Sequence, residues 1–227
     1  MKPVVSPVIT RQWLQGLVIL AAPVVLSGCV NFKANYIDPM YGEIAGDVAP
    51  VRAGGEPVEM AANAPSISQG FNPAPLEKEQ KSNPQDHPGI DIVASRGTPV
   101  LAATGGTVVD STFDPAFGHQ VSILHGKNVD GQDIKSNYVH LQKKWVRVGD
   151  KVIGGQQIGE LGSSGLFAAF PHLHFEVRFL DHKGRWIPLN PHLFWRDGIG
   201  IVSCFSDDNA VGDGFSITYP VQCRNLD

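Results

Sequence analysis

The run Pro171-His172-Leu173-His174-Phe175-Glu176-Val177-Arg178-Phe179 alternates between polar and apolar side chains. In an extended strand, Leu173, Phe175, Val177 and Phe179 share one face, and His172, His174, Glu176 and Arg178 share the other. Imidazoles two residues apart have Cα atoms roughly 7 Å apart and point the same way, so both can address one site above a sheet. Two further runs offer partners. In His87-Pro88-Gly89-Ile90-Asp91-Ile92-Val93, Gly89 and Asp91 fall on one face, with Ile90 and Ile92 on the other. A carboxylate flanked by two buried isoleucines needs a partner of its own. In Ser136-Asn137-Tyr138-Val139-His140-Leu141, alternation predicts Val139 and Leu141 facing the core, with Tyr138 and His140 opposite. An antiparallel neighbour carrying Asp91 or His140 would bring a carboxylate or a third imidazole to the His172/His174 site. One carboxylate and two neutral imidazoles make a common catalytic zinc set, with the fourth position left to water. Single histidines on strand faces are ordinary; the combination of His-x-His with a strand-borne His-x-x-x-Asp and a Tyr-x-His points to a metal. The other four are read as surface or turn residues: His119 and His125 flank a strand, His182 lies in the turn Asp181-His182-Lys183-Gly184, and His192 follows Pro191.

Positioning these side chains requires strands. Period-two runs are predicted at 66–71, 89–93, 99–103, 107–111, 120–125, 136–142, 156–161 and 172–179, separated by Gly-containing turns. With no amphipathic helix of ten or more residues, the expected fold is all-β and antiparallel. The chain has 227 residues, enough for one sizeable domain, expected at 64–196. Its formal net charge of −4 excludes a nucleic-acid binder that relies on a broad basic face. An apolar fraction of 42% excludes a disordered acidic scaffold.

The N-terminal stretch differs in kind. Lys2 and Arg11 are its only charges, and the apolar run Trp13 to Leu26 contains Pro23 and ends in small residues. As a helix it would span roughly 21 Å, short of the ~30 Å hydrocarbon core. This is the pattern of a secretory signal. Its exit, Leu26-Ser27-Gly28-Cys29, resembles a bacterial lipoprotein lipobox, which implies removal of residues 1–28 and lipidation of Cys29. Val30 in the next position, in place of Asp, implies outer-membrane delivery facing the periplasm in a Gram-negative host. Residues 29–63, rich in Gly, Pro and Ala, would form a tether with an r.m.s. span of roughly 30 Å. With Cys29 lipidated, Cys204 and Cys223 remain as an even pair in a disulfide-permitting compartment. A disulfide between them is expected to pin the extension 197–227; a free catalytic thiol or a metal ligand are the alternatives, and no Cys-x-x-Cys spacing supports either.

Roughly residues 65–192 resemble the LytM/lysostaphin-type zinc endopeptidases, which cut peptide cross-links in bacterial cell walls. The resemblance is carried by His87-Pro88-Gly89-Ile90-Asp91-Ile92, Gly97-Thr98-Pro99-Val100, Tyr138-Val139-His140-Leu141, Val148-Gly149-Asp150-Lys151-Val152 through Gly155-Gln156-Gln157-Ile158-Gly159, and Pro171-His172-Leu173-His174-Phe175-Glu176. It implies antiparallel sheets forming the groove of that family, in a barrel-sandwich-like arrangement. It implies zinc on His87, Asp91 and His174, with His140 and His172 as unligated catalytic histidines acting on peptidoglycan peptides. Glu176 is then either a support for His174 or half of a structural ion pair. Tyr138 is either an oxyanion donor or a solvent-facing residue. The general-base Glu of a His-Glu-x-x-His helix is missing. A non-catalytic cell-wall-binding or amidase-activating lipoprotein on the same fold is the second reading, although members of that kind usually lose ligands. Two departures stand out: Asn72-Pro73 follows Gly70-Phe71 where the family often has an Arg, and Ser163-Ser164-Gly165 has Ser where it often has Thr. No regulatory partner is legible.

Overall fold

The computed structural model describes residues 56–74, 86–128, 130–206 and 214–224, together with two-residue strand segments at Ile37–Asp38, Gly42–Glu43 and Arg52–Ala53. The expected signal segment, Cys29 and most of the expected tether lie outside the described residues.

The principal strands are β1 (Ile67–Gln69), β2 (Ile90–Val93), β3 (Pro99–Leu101), β4 (Gly106–Asp114), β5 (Gly118–Lys127), β6 (Asp133–Leu141), β7 (Lys143–Lys144), β8 (Lys151–Val152), β9 (Gln157–Glu160), β10 (His172–Leu180) and β11 (Trp186–Leu189). Among the described residues the sole helical element is one 3-10 turn, Pro191–Leu193. All eight predicted strands are present; β7, β8 and β11 are additional. The fold is therefore all-β and antiparallel, as expected. The larger sheet runs β8-β4-β5-β6-β10-β2-β1, and β11 pairs with the far half of β10 beside β2. A smaller sheet runs β7-β9-β3.

Strand β10 is central because its alternation is complete. Leu173, Phe175 and Val177 are fully buried and pack with Ile90, Ile92, Ile123, Ile158 and Leu161 into one core. The opposite face of β10 is left for His172, His174, Glu176 and Arg178. The register sets Asp91 across from His174, and Val139 across from His174 on the other side. Partners directly opposite in a ladder project to the same face, so Asp91 and Val139 join the histidine face.

This corrects the expected facing of β6. Tyr138, opposite Phe175, is fully buried, and its hydroxyl accepts the Ala103 N–H at 2.8 Å. It is neither an oxyanion donor nor a solvent-facing residue. The physical reason lies two residues on. Tyr138 pairs with Val121 and Leu141 with His119, so β6 carries one extra residue against β5, a β-bulge. His140 sits in it with φ 65°, the one left-handed non-glycine residue among those described. The bulge breaks the alternation, leaving Val139 and His140 on the site side while Tyr138 and Leu141 both enter the core.

The C-terminal stretch is also more than an appendage. Thr218 N–H donates to Ala103, Leu101 N–H to Pro220 and Gln222 N–H to Pro99, which lays residues 218–222 along β3. Ile217, Tyr219 and Val221 are buried in the main core. Burying the Ile and Val side chains stabilises by roughly 1.5–3 kcal/mol each. Cys204 and Cys223 are joined by a disulfide, with Cα atoms 6.1 Å apart. The packed structure also begins upstream of residue 64: Glu59 exchanges backbone bonds with Gly200 and Val202, and the Tyr219 hydroxyl donates to the Pro65 carbonyl at 2.7 Å.

Candidate metal centre

Three side chains converge on one point above the β2–β10 ladder. His87 enters from a bridge with Asn72, paired N–H to C=O in both directions. The turn that follows is pressed against β10: a Cβ on Gly89 would lie 2.3 Å from the Phe175 carbonyl oxygen, so only glycine fits. His87 Nε2 then lies 3.1 Å from Asp91 Oδ1 and 3.0 Å from His174 Nδ1, and His174 Nδ1 lies 2.8 Å from Asp91 Oδ1. These three residues form the one group of potential metal ligands found among the described residues.

The other atom of each ring shows what the converging atoms are. His87 Nδ1 lies 2.7 Å from the Gly70 carbonyl, which can only accept, so Nδ1 carries the proton and Nε2 a lone pair. His174 Nε2 lies 3.2 Å from Glu176 Oε1 and donates to it, which leaves the His174 lone pair on Nδ1. Two imidazole lone pairs and a carboxylate oxygen within 3.1 Å of one another repel unless a cation lies among them. Tetrahedral zinc, with ligands at ~2.0–2.1 Å, would hold such atoms roughly 3.3 Å apart. The donor set and the spacing fit that ion after shifts of a few tenths of an ångström.

In the metal-free protein a proton fills the same role. Burial works to lower the basicity of His174, yet its bonds to Asp91 and Glu176 prevail and push its pKa up to about 9. Burial likewise opposes ionisation of Asp91, but the bonds from His174 and His87 hold its carboxyl well below the usual carboxylate range.

Glu176 resolves an alternative left open by the sequence, because it is both things at once. Its carboxylate orients His174, and it is held by Arg178 through Nε to Oε2 (2.7 Å) and Nη2 to Oε1 (2.9 Å). Despite burial, His174 and Arg178 keep it ionised, far below an ordinary glutamate. A carboxylate behind a ligating histidine fixes the ring and raises its basicity.

His140 and His172 stand beside this triangle, their rings 4.7 Å apart, with His140 6.2 Å from the ring of His174. Each is tied by the same device. His140 Nδ1–H donates to Ser164 C=O at 2.9 Å and His172 Nδ1–H to Phe170 C=O at 2.8 Å, so each turns Nε2 inward. His172 Nε2 reaches within 3.8 Å of Asp91 Oδ1. Burial pushes the pKa of His140 down to about 4, which keeps it neutral near pH 7 with a lone pair on Nε2. The left-handed backbone of His140 costs about 1–3 kcal/mol, a strain of the kind found where a side chain must be aimed.

All five site residues expected from the sequence are thus brought together. Two histidines read as surface residues are drawn into the structure instead, His192 fully and His125 in part. His125 bonds Gly105 C=O and Ser136 Oγ on the core side of the sheet. His192 is fully buried and its Nδ1 accepts the Trp195 indole N–H at 2.9 Å. The signal for His125 was its place in an alternating strand beside core residues; His192 carried none.

Residues 85–190 match peptidase family M23. The chain is 37% identical over 113 residues to the peptidoglycan DD-endopeptidase ShyC of Vibrio cholerae, covering 48% of this chain and 24% of that one. It is 41% identical over 98 residues to the lipoprotein NlpD/LppB homolog of Pseudomonas aeruginosa, covering 43% and 31%. The aligned region therefore spans about a quarter to a third of these relatives' own length. Among solved structures, the catalytic domain of the antimicrobial peptidase lysostaphin from Staphylococcus simulans aligns at 32% identity with a TM-score of 0.44, covering 56% of this chain and 88% of that one.

Proposed function

From the match of residues 85–190 to peptidase family M23, we propose that the chain is a zinc-dependent endopeptidase that hydrolyses peptide cross-links of bacterial peptidoglycan. The observation that carries this reading is the convergence of three lone-pair donors beside two histidines whose Nε2 atoms face the same space. A relative named as a peptidoglycan DD-endopeptidase supports the choice of substrate class.

His87, Asp91 and His174 would hold the metal, leaving the open position of a catalytic site rather than the four-ligand closure of a structural one. When bound, zinc supplies Lewis-acid polarisation of the scissile carbonyl and acidification of water. His140, neutral near pH 7, accepts the proton of the attacking water on Nε2 and returns it to the leaving amine. His172, its Nε2 turned into the same space, would stand beside the oxygen that gains charge as the carbonyl becomes tetrahedral. Glu176 and Arg178 would hold the Nδ1 lone pair of His174 toward that ion.

The same proposal extends to location. Cys29 would be lipidated after loss of residues 1–28 and would tether the domain to the periplasmic face of the outer membrane. The Leu26-Ser27-Gly28-Cys29 run and a relative named as a lipoprotein support it.

The test is digestion of purified sacculi by zinc-loaded soluble protein starting at Val30, with released muropeptides read by mass spectrometry. Loss of cross-linked dimers, abolished by a chelator and restored by zinc, is the expected result and identifies the bond cut. Unchanged muropeptides with folded, metal-loaded protein would favour the non-catalytic cell-wall-binding or activating role.

A further inference from the structure

The bulge that aims His140 is held open by a single side chain. The register sets Leu141 across from His119 at the end of the bulge. The hydroxyl of Ser164 lies between them, accepting His119 N–H at 2.9 Å and donating to Leu141 C=O at 2.7 Å. The carbonyl of the same residue accepts His140 Nδ1–H at 2.9 Å. One residue therefore both wedges the ladder and fixes the ring that the wedge releases. The space it occupies is reserved for it: Gly118 has φ 75°, and a Cβ there would lie 2.1 Å from Ser164 Oγ and 2.4 Å from its carbonyl carbon.

We propose that Ser164 is a positioning residue for His140, its hydroxyl bridging the open rungs of the β5–β6 ladder and its carbonyl turning Nε2 of His140 toward the reacting centre. This rests on the reading of His140 as the proton acceptor. Without the hydroxyl, His119 N–H and Leu141 C=O both lose their shared partner beside the left-handed His140. None of the three metal ligands bonds to Ser164, so metal binding stands apart from this device.

The experiment compares the zinc-loaded protein with Ser164→Ala and Ser164→Thr. The threonine retains a hydroxyl in the same place. The expected result for alanine is a kcat lower by about 10–100-fold, as for a misaimed catalytic group, with KM within about twofold and zinc content unchanged. Threonine should restore kcat to within about threefold. In parallel, imidazole nitrogen NMR should show His140 protonated on Nδ1 in the starting protein and in the threonine variant, with that protected proton lost in the alanine variant. Should alanine prevent folding, Ser164→Cys, which fills the space with a far weaker hydrogen-bonding group, takes its place with the same expectation. Full kcat in the alanine or cysteine variant overturns the proposal, and so does a loss that threonine fails to restore. An unchanged His140 proton signal in the hydroxyl-free variants also overturns it. If the starting protein cleaves no sacculi, the endopeptidase reading fails by itself, and the NMR comparison still decides the role of Ser164.

Discussion

The two faces of the large sheet both hold hydrogen-bonded histidines, and the contrast between them separates structure from chemistry. On the core face, His125 uses both ring nitrogens on the protein: Nδ1 bonds Gly105 C=O and Nε2 bonds Ser136 Oγ, each at 2.8 Å. On the site face, His87, His140 and His172 each tie Nδ1 to a main-chain carbonyl and leave Nε2 to a shared space. His174 does the same with its nitrogens exchanged, because Glu176 takes Nε2. Hydrogen bonding alone therefore does not distinguish the two kinds. What does is whether the second nitrogen is already committed, and whether several uncommitted nitrogens meet.

The largest effect that this contrast predicts comes from His174→Ala. It should abolish stoichiometric zinc and lower kcat/KM by more than about a thousandfold, checked by metal analysis alongside sacculus digestion. Next, His140→Ala should retain zinc while losing about 10²–10⁴-fold in rate; an undiminished rate would remove His140 from the mechanism. Glu176→Gln should weaken zinc binding about 10–100-fold, read by competition with a chromophoric chelator. On the other face, His125→Ala should leave zinc affinity unchanged and cost about 1–3 kcal/mol of stability through the buried groups it strands, measured by urea unfolding. A change in zinc affinity there would break the contrast.

The smallest effects are in pH dependence, where His174 carries the opposite sign to His125, His140 and His192. Burial pushes His125 and His192 down to about 4, so their contribution is complete above the unfolded value of about 6.5 and is lost as pH falls toward 4. His174 is pushed up to about 9 in the metal-free protein, so its contribution is complete below about 6.5 and is lost as pH rises through 9. Thermal unfolding of the metal-free protein should thus weaken at both ends of pH 4–9. Adding zinc should abolish the alkaline loss and leave the acid one in place.

The histidine face was legible because β10 alternates without interruption, and Asp91 followed because its strand pairs beside it in register. The facing of Tyr138 and Val139 was not legible. A bulge one residue long reverses every assignment past it, and nothing in Tyr138-Val139-His140-Leu141 announces a left-handed histidine. The core role of residues 217–221 was in principle visible, since Ile217, Tyr219 and Val221 alternate with Thr218 and Pro220. The glycines around them drew the reading toward an extension. Glu176 could be placed on the correct face but not given its role, because the bond to His174 depends on rotamers that spacing does not determine.

Residues 218–222 lie along β3, more than a hundred residues earlier in the chain, and bring Tyr219 and Val221 into the core. Synthesis makes them late. A nascent chain that already carries β2, β6 and β10 has every ligand and both further histidines, yet it lacks the piece that seals the interior beneath them. Pairings this distant in sequence close slowly. The unfinished polypeptide therefore carries all the atoms of the proposed hydrolytic centre without its rigid backing, and the bond between Cys204 and Cys223 then retains the late arrival, closing a loop that contributes roughly 3 kcal/mol.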